Sequence, residues 1–278
     1  MIIDSHCHAW AYWPYQPAVP DLESRGTAAQ LAFEMKLNGV DHALIVCAEI
    51  DHNPDNNAYV AGQVRQNEDT FSFVVDVDSK WKASYHTPGA ADRLQEAINR
   101  WHPAGFTHYL ADEADAGDWF LSDEGLAFLE CAHAHHLLAS IHCRPQHQSA
   151  IRQVARQFPA LRFLIHHMGH PPVLEPEGLS EVLQTAACDN VFIKVSGFYY
   201  GTASPRWDYP LVDMQPTVRA LVQRYGASRL CWGSDYPVVR QWFNYRHALE
   251  IVRTHCRFIA ADDMDLIMGD TLAGLLRG

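Results

Sequence analysis

The chain has 278 residues, 48% hydrophobic and 19% charged, which is enough to bury a sizeable core and too apolar for a disordered segment. A formal net charge of −12 argues against nucleic acid and anionic membrane surfaces as partners, although a local arginine pocket can still hold an anionic small molecule. No run approaches the roughly 18–20 apolar residues of a membrane span, the opening residues lack the signature of a signal peptide, and seven cysteines without a CxxC pair predict reduced thiols in the cytoplasm.

The chain opens with a short apolar run, Met1-Ile2-Ile3, followed by Asp4-Ser5-His6-Cys7-His8. In a strand, alternate side chains share a face, so His6 and His8 point one way and Cys7 the other. Further β-rich runs follow at 43–47, 71–75, 105–108, 138–142, 163–167, 191–196 and 230–233. Between them lie amphipathic stretches such as 90–101, 124–136, 148–158 and 215–225, with apolar residues three and four apart. Eight strands alternating with helices, at roughly 35 residues per unit, predict an α/β fold: a single-domain (β/α)8 TIM barrel over residues 1–278. An open doubly wound sheet is the alternative, but no GxGxxG follows the first strand and no GxxxxGK[ST] loop is present.

In such a barrel the chemistry sits at the carboxyl ends of the strands. The first predicted strand leads into His6 and His8, the fifth ends in His142, the sixth in His166-His167, and Asp235 follows the eighth in CWGSDYP. His6, His8, His142 and Asp235 offer three nitrogens and one oxygen, a set suited to one divalent ion, zinc first, with manganese, iron or cobalt compatible. Neighbours in a strand point oppositely, so only one of the adjacent histidines is expected to face the interior, and His167 is the choice. The bland readings are a satisfied polar side chain for His142 and a turn or helix cap for Asp235. His133, His135 and His136 are read as residues near a helix C-terminus.

The segments DSHCH, GFTHYLADE, LRFLIHHMGHPP, VFIKVSGFY, LCWGSDYP and IMGDTLAGLL together resemble the amidohydrolase superfamily, almost from end to end. Within it the chain is most similar to the amidohydrolase-2 group, which holds sugar-acid lactonases, pyrone-dicarboxylate lactonase and non-oxidative decarboxylases. His166-His167-Met168-Gly169-His170-Pro171 matches a DHxGxP-like lactonase segment, and Lys194-Val195-Ser196-Gly197 matches a KxSG segment. The lactonases often lack a histidine at the end of strand five, whereas this chain has His142, as the metal-dependent decarboxylases do. The fourth predicted strand carries neither the lysine nor the glutamate that bridges two metals in binuclear members, so one ion is expected.

The resemblance implies a metal-dependent hydrolase that opens a small cyclic ester, with Asp235 as general acid–base and His167 stabilising the oxyanion. The alternative is a mononuclear-metal decarboxylase of an aromatic or muconate-type acid. A TatD-like nuclease fits the net charge poorly, and a barrel that binds a sugar acid without turnover leaves the ligand set and rim base unexplained. Arg144, Arg240 and Arg206 lie in rim loops and could each fork onto a carboxylate, with a surface ion pair as the alternative. Tyr199 and the other loop aromatics are candidates to line a substrate pocket or merely to cover the rim. The expected partner is a small cyclic molecule, carboxylated in one version, with no nucleic acid or membrane involved; a homo-oligomer is compatible.

Overall fold

The computed structural model describes residues 1–15, 21, 23–50 and 52–277. Eight parallel strands, β1 (Ile3–Cys7), β2 (His42–Val46), β3 (Phe71–Asp76), β4 (Gly105–Tyr109), β5 (Leu138–His142), β6 (Arg162–Ile165), β7 (Val191–Val195) and β8 (Leu230–Trp232), pair in chain order. Helices α1 (Ala28–Asn38), α2 (Asn56–Gln66), α3 (Ala90–Trp101), α4 (Asp123–Ala134), α5 (Gln148–Gln157), α6 (Pro176–Gln184), α7 (Gln215–Tyr225) and α8 (Tyr245–Glu250) follow the strands in turn. The chain ends in two short helices, α9 (Ala261–Asp265) and α10 (Thr271–Arg277). This is the expected (β/α)8 barrel.

Parallel strands covered on both faces read as continuous apolar runs, and ALIVC at β2 is one. Leu44 and Val46 turn inward to a lumen cluster with Val74, Leu138 and Leu164, whereas Ile45 faces the helical layer with Phe73, Phe106 and Phe163. The helices cover that outer face with matched stripes: α3 buries Ala90, Leu94, Ala97 and Ile98. Each large apolar side chain so buried contributes roughly 1.5–3 kcal/mol.

The barrel nearly closes where the segment after β8 returns beside β1. The Asp235 N–H donates to the His6 carbonyl at 2.7 Å and the His8 N–H to the Tyr236 carbonyl at 2.6 Å. Gly233 permits this approach, since a Cβ there would sit 2.8 Å from His6 Cβ and 2.9 Å from His6 N. The two ends of the chain's strand order are thereby joined at the rim, directly under the residues of interest.

Candidate active site

The register between β1 and β2 shifts between Asp4 and Cys7, a bulge of the kind that re-aims side chains at barrel rims. Asp4 anchors this stretch from a fully buried position. Its carboxylate accepts from Ser234 N (2.9 Å), Ser234 Oγ (2.5 Å), Tyr245 OH (2.9 Å) and His6 N (3.1 Å), tying β1 to the segment that carries Asp235. Burial pushes its pKa up to about 6 despite these donors. Both His6 and His8 are buried, and His8 Nδ1 lies 2.7 Å from the Val46 carbonyl. A carbonyl only accepts, so Nδ1 carries the proton and Nε2 keeps its lone pair, the usual state of a metal-ligating histidine.

Asp235 is fully buried with φ of 54°, a left-handed conformation that costs a non-glycine residue roughly 1–3 kcal/mol and clusters at functional sites. Its Oδ1 lies 3.4 Å from His6 Nε2 and 3.5 Å from His8 Nε2. Oδ2 accepts from Tyr199 OH at 2.5 Å and stands 4.0 Å from His167 Nε2. Burial opposes ionisation, but His167, His8 and Tyr199 outweigh it and hold the carboxyl below its ordinary pKa.

These residues fit a metal ion. His6 Nε2 and Asp235 Oδ1 are buried without a protein hydrogen-bond partner, a costly state unless something else ligates them. Ligand atoms about 2.1 Å from a tetrahedrally coordinated ion are about 3.4 Å apart, matching the two spacings to Asp235 Oδ1. Among the described residues, His6, His8 and Asp235 form one compact group of ligand atoms, and His6, His166 and His167 form another. His142, expected as a ligand, belongs to neither. Its ring stacks on Tyr109 at the end of β4 and meets His170 edge-on at 4.5 Å.

The expectation that only one of His166 and His167 faces inward does not hold. Strand β6 ends at Ile165, and residues 166–169 form a tight turn in which strand alternation no longer applies. His166 Nε2 pairs with Ser140 Oγ at 2.7 Å, and its ring lies 4.5 Å from that of His6. His167, with φ of 48°, pairs through Nδ1 with Ser196 Oγ at 3.0 Å. Gly197 makes room for it, because a Cβ there would lie 2.5 Å from His167 Nδ1.

Sequence reasoning missed the role of Lys194 beyond its place in KxSG. The side chain is fully buried, donating to Ser140 Oγ at 2.8 Å and facing His6 Nδ1 at 3.2 Å. Burial pushes its pKa down to about 7. Were His6 to ligate a metal through Nε2, it would present Nδ1–H to Lys194, and a neutral amine can accept that hydrogen bond. The signal was a lysine at the end of an otherwise apolar strand.

Above the ligand group opens a cavity of about 280 Å³ lined by His8, Trp10, Tyr15, Lys80, Trp81, Tyr109, His142, Arg144, His167, His170, Tyr200 and Asp235, among others. Of the predicted arginines only Arg144 lines it. Arg206 is exposed and lies over the Trp242 ring, 5.4 Å away, and Arg240 is exposed on the turn after Asp235. Tyr199 is buried on Asp235 rather than lining the cavity, where its neighbour Tyr200 stands. Trp119 and Phe120 pack around His108, outside the cavity lining.

A family model described as amidohydrolase matches residues 3–277. The chain belongs to the amidohydrolase family. It is thus an enzyme of the amidohydrolase superfamily, whose members are generally metal-dependent. This amidohydrolase is 31% identical over 250 residues to L-fucono-1,5-lactonase of Burkholderia ambifaria, covering 86% of this chain and 81% of that one. Its fold is that of an amidohydrolase of Burkholderia multivorans with bound zinc (TM-score 0.80, 18% identity, covering 100% of this chain and 99% of that one). It is also that of a probable 2-pyrone-4,6-dicarboxylic acid hydrolase of Acinetobacter baumannii with citric acid bound (TM-score 0.76, 18% identity, 100% and 99% covered). No helix among the described residues of this amidohydrolase is long and apolar enough to cross a membrane.

Proposed function

We propose that this amidohydrolase opens a small lactone, sugar-acid or pyrone-type, with one divalent ion, zinc first, held by His6, His8 and Asp235. The observation that carries the reading is Asp235 Oδ1 at 3.4 and 3.5 Å from two histidine nitrogens, at the floor of a cavity of about 280 Å³. The likeness to a lactonase over most of both chains supports the reaction class. A bound divalent ion polarises an ester carbonyl and lowers the pKa of water beside it.

The chain's own residues then divide the work. Asp235 takes the proton of the attacking water and returns it to the ring oxygen as the C–O bond breaks, leaving a hydroxy acid. Tyr199 keeps Oδ2 aimed, so the carboxylate cannot rotate away from the floor of the cavity. With Ser196 Oγ–H donating to Nδ1, His167 carries its proton on Nε2 and donates it in a hydrogen bond to the carbonyl oxygen as charge develops there, an interaction worth about 3–4 kcal/mol. Trp10, Tyr15 and Trp81 wall the cavity and limit water to the reacting molecule.

The decarboxylase alternative draws on His142 as a fourth ligand; among the described residues His142 lies outside the compact ligand group, and the likeness to a lactonase weighs for lactone opening. Seven free thiols suit a reducing compartment such as the cytoplasm. The test is a panel of sugar-acid and pyrone lactones followed with a pH indicator, since ring opening yields an acid that ionises. Proton release that needs the protein supports the reading, and carbon dioxide release from benzoate-type acids in its place would overturn it.

A further inference from the structure

Strand β5 stands across the barrel from β1, and the cavity wall it carries differs in character from the ligand floor. His142 and His170 both line the cavity and are more than nine-tenths buried. Neither His142 Nδ1 nor His170 Nε2 has a protein hydrogen-bond partner. Two buried imidazole nitrogens without partners are expensive unless a ligand meets them. They are not a metal site, because no third ligand atom joins them among the described residues.

Beside them stand the two cations of the cavity lining, Lys80 and Arg144. Asp112, outside the lining and well exposed, accepts from Arg144 Nε at 2.9 Å and Nη2 at 3.5 Å and from Lys80 Nζ at 3.4 Å. One carboxylate therefore holds both cations from the solvent side, while each keeps further N–H groups for a second anion on the cavity side. In a chain of net charge −12, the two cations share one wall with two unpartnered imidazoles that burial keeps neutral, so the wall offers N–H donors with no carboxylate of its own besides Asp112.

We infer that His142, His170, Lys80 and Arg144 form a carboxylate subsite, and that the substrate is an anionic lactone whose acid group docks there while its ester lies over Asp235. The inference rests on the lactonase reading for the position of the ester, but the subsite itself stands on geometry alone. Arg144 presents a planar fork suited to a carboxylate and Lys80 a point charge. Ring contacts with Tyr109 and with each other fix the two imidazoles at the depth of the cavity. Asp112 orders the cations before the substrate arrives, which lowers the entropy lost on binding.

The test is a binding titration of the metal-loaded protein with benzene-1,3-dicarboxylate and with its neutral diamide, a pair of equal shape. The acid should bind about tenfold or more tightly than the amide, the worth of one charge-assisted hydrogen bond. The double variant Lys80→Met/Arg144→Met should lose that preference with metal content unchanged. His170→Asn, which tolerates the left-handed backbone at φ of 54°, should weaken the acid and leave the amide alone. Equal binding of acid and amide to the native protein overturns the subsite, as does a preference left undiminished by either variant. A preference for the acid in a protein that hydrolyses no lactone would keep the subsite and sink the lactonase reading. Lactone hydrolysis without the preference would do the reverse.

Discussion

Replacing Lys194 with methionine should flatten the rise of stability with pH in the metal-free protein. The amine is fully buried, and burial brings its pKa from 10.5 to about 7. Between those values the unfolded chain holds a proton that the folded chain has released, so folding gains stability as pH rises through this window. Below pH 7 both states are protonated and the burial cost is complete, about 5 kcal/mol at most. From pH 7.5 to 9.5 the lysine should contribute about 2 kcal/mol of added stability. Buried cysteines titrate in the opposite sense over the same range, but they are common to both proteins and cancel in the difference. Urea unfolding of chelator-treated wild type and Lys194→Met, at half-unit steps, measures that difference directly. The methionine variant should gain relative to wild type at pH 7 and lose that advantage by pH 10. A gap that stays constant with pH would show that Lys194 keeps its proton in the fold, and the neutral amine facing His6 would have to be abandoned.

Asp235→Asn should cut kcat by about a thousandfold or more while circular dichroism and Tm stay near native, because the amide cannot take the water's proton. Tyr199→Phe removes the hydrogen bond that favours the ionised Asp235; the acid limb of the kcat/KM profile should move to higher pH, with a loss of about 1 kcal/mol in transition-state stabilisation. Gly197→Ala places a methyl where His167 Nδ1 now lies and forces alanine into φ of 59°; turnover should fall steeply with metal content preserved. Metal analysis and initial rates on the same preparations check all three.

Much of the barrel is legible from short apolar runs. The stretch 138–142 is β5 residue for residue, and 90–101 and 215–225 are α3 and α7, because two-sided burial and clean apolar stripes leave strong patterns. Helix α1 leaves no clear stripe in the sequence, since Phe33 and Leu37 on its exposed face blur the period. The rim placement of His6, His8, His167 and Asp235 follows from strand ends, but the grouping of His6, His8 and Asp235 apart from His142 and His170 does not. His142 stands at a strand end like the others, and the pairing of β4 with β5 sets its ring on Tyr109, with His170 meeting it from the turn after β6. The turn that brings in both His166 and His167 depends on left-handed backbone at three non-glycine residues, His167, Met168 and His170, which no local propensity announces. Lys80 and Arg144 meet on Asp112 from separate loops, a non-local pairing invisible to periodicity.

The most direct measurement is the ion content of the purified protein, taken together with its rate of lactone opening before chelation, after it, and after reloading. One ion per chain, activity lost with the ion and regained with it, and no ion in His6→Ala/His8→Ala is the expected result. Full activity in protein stripped of metal, or a stoichiometric ion retained without the two histidines, would contradict the site built on His6, His8 and Asp235.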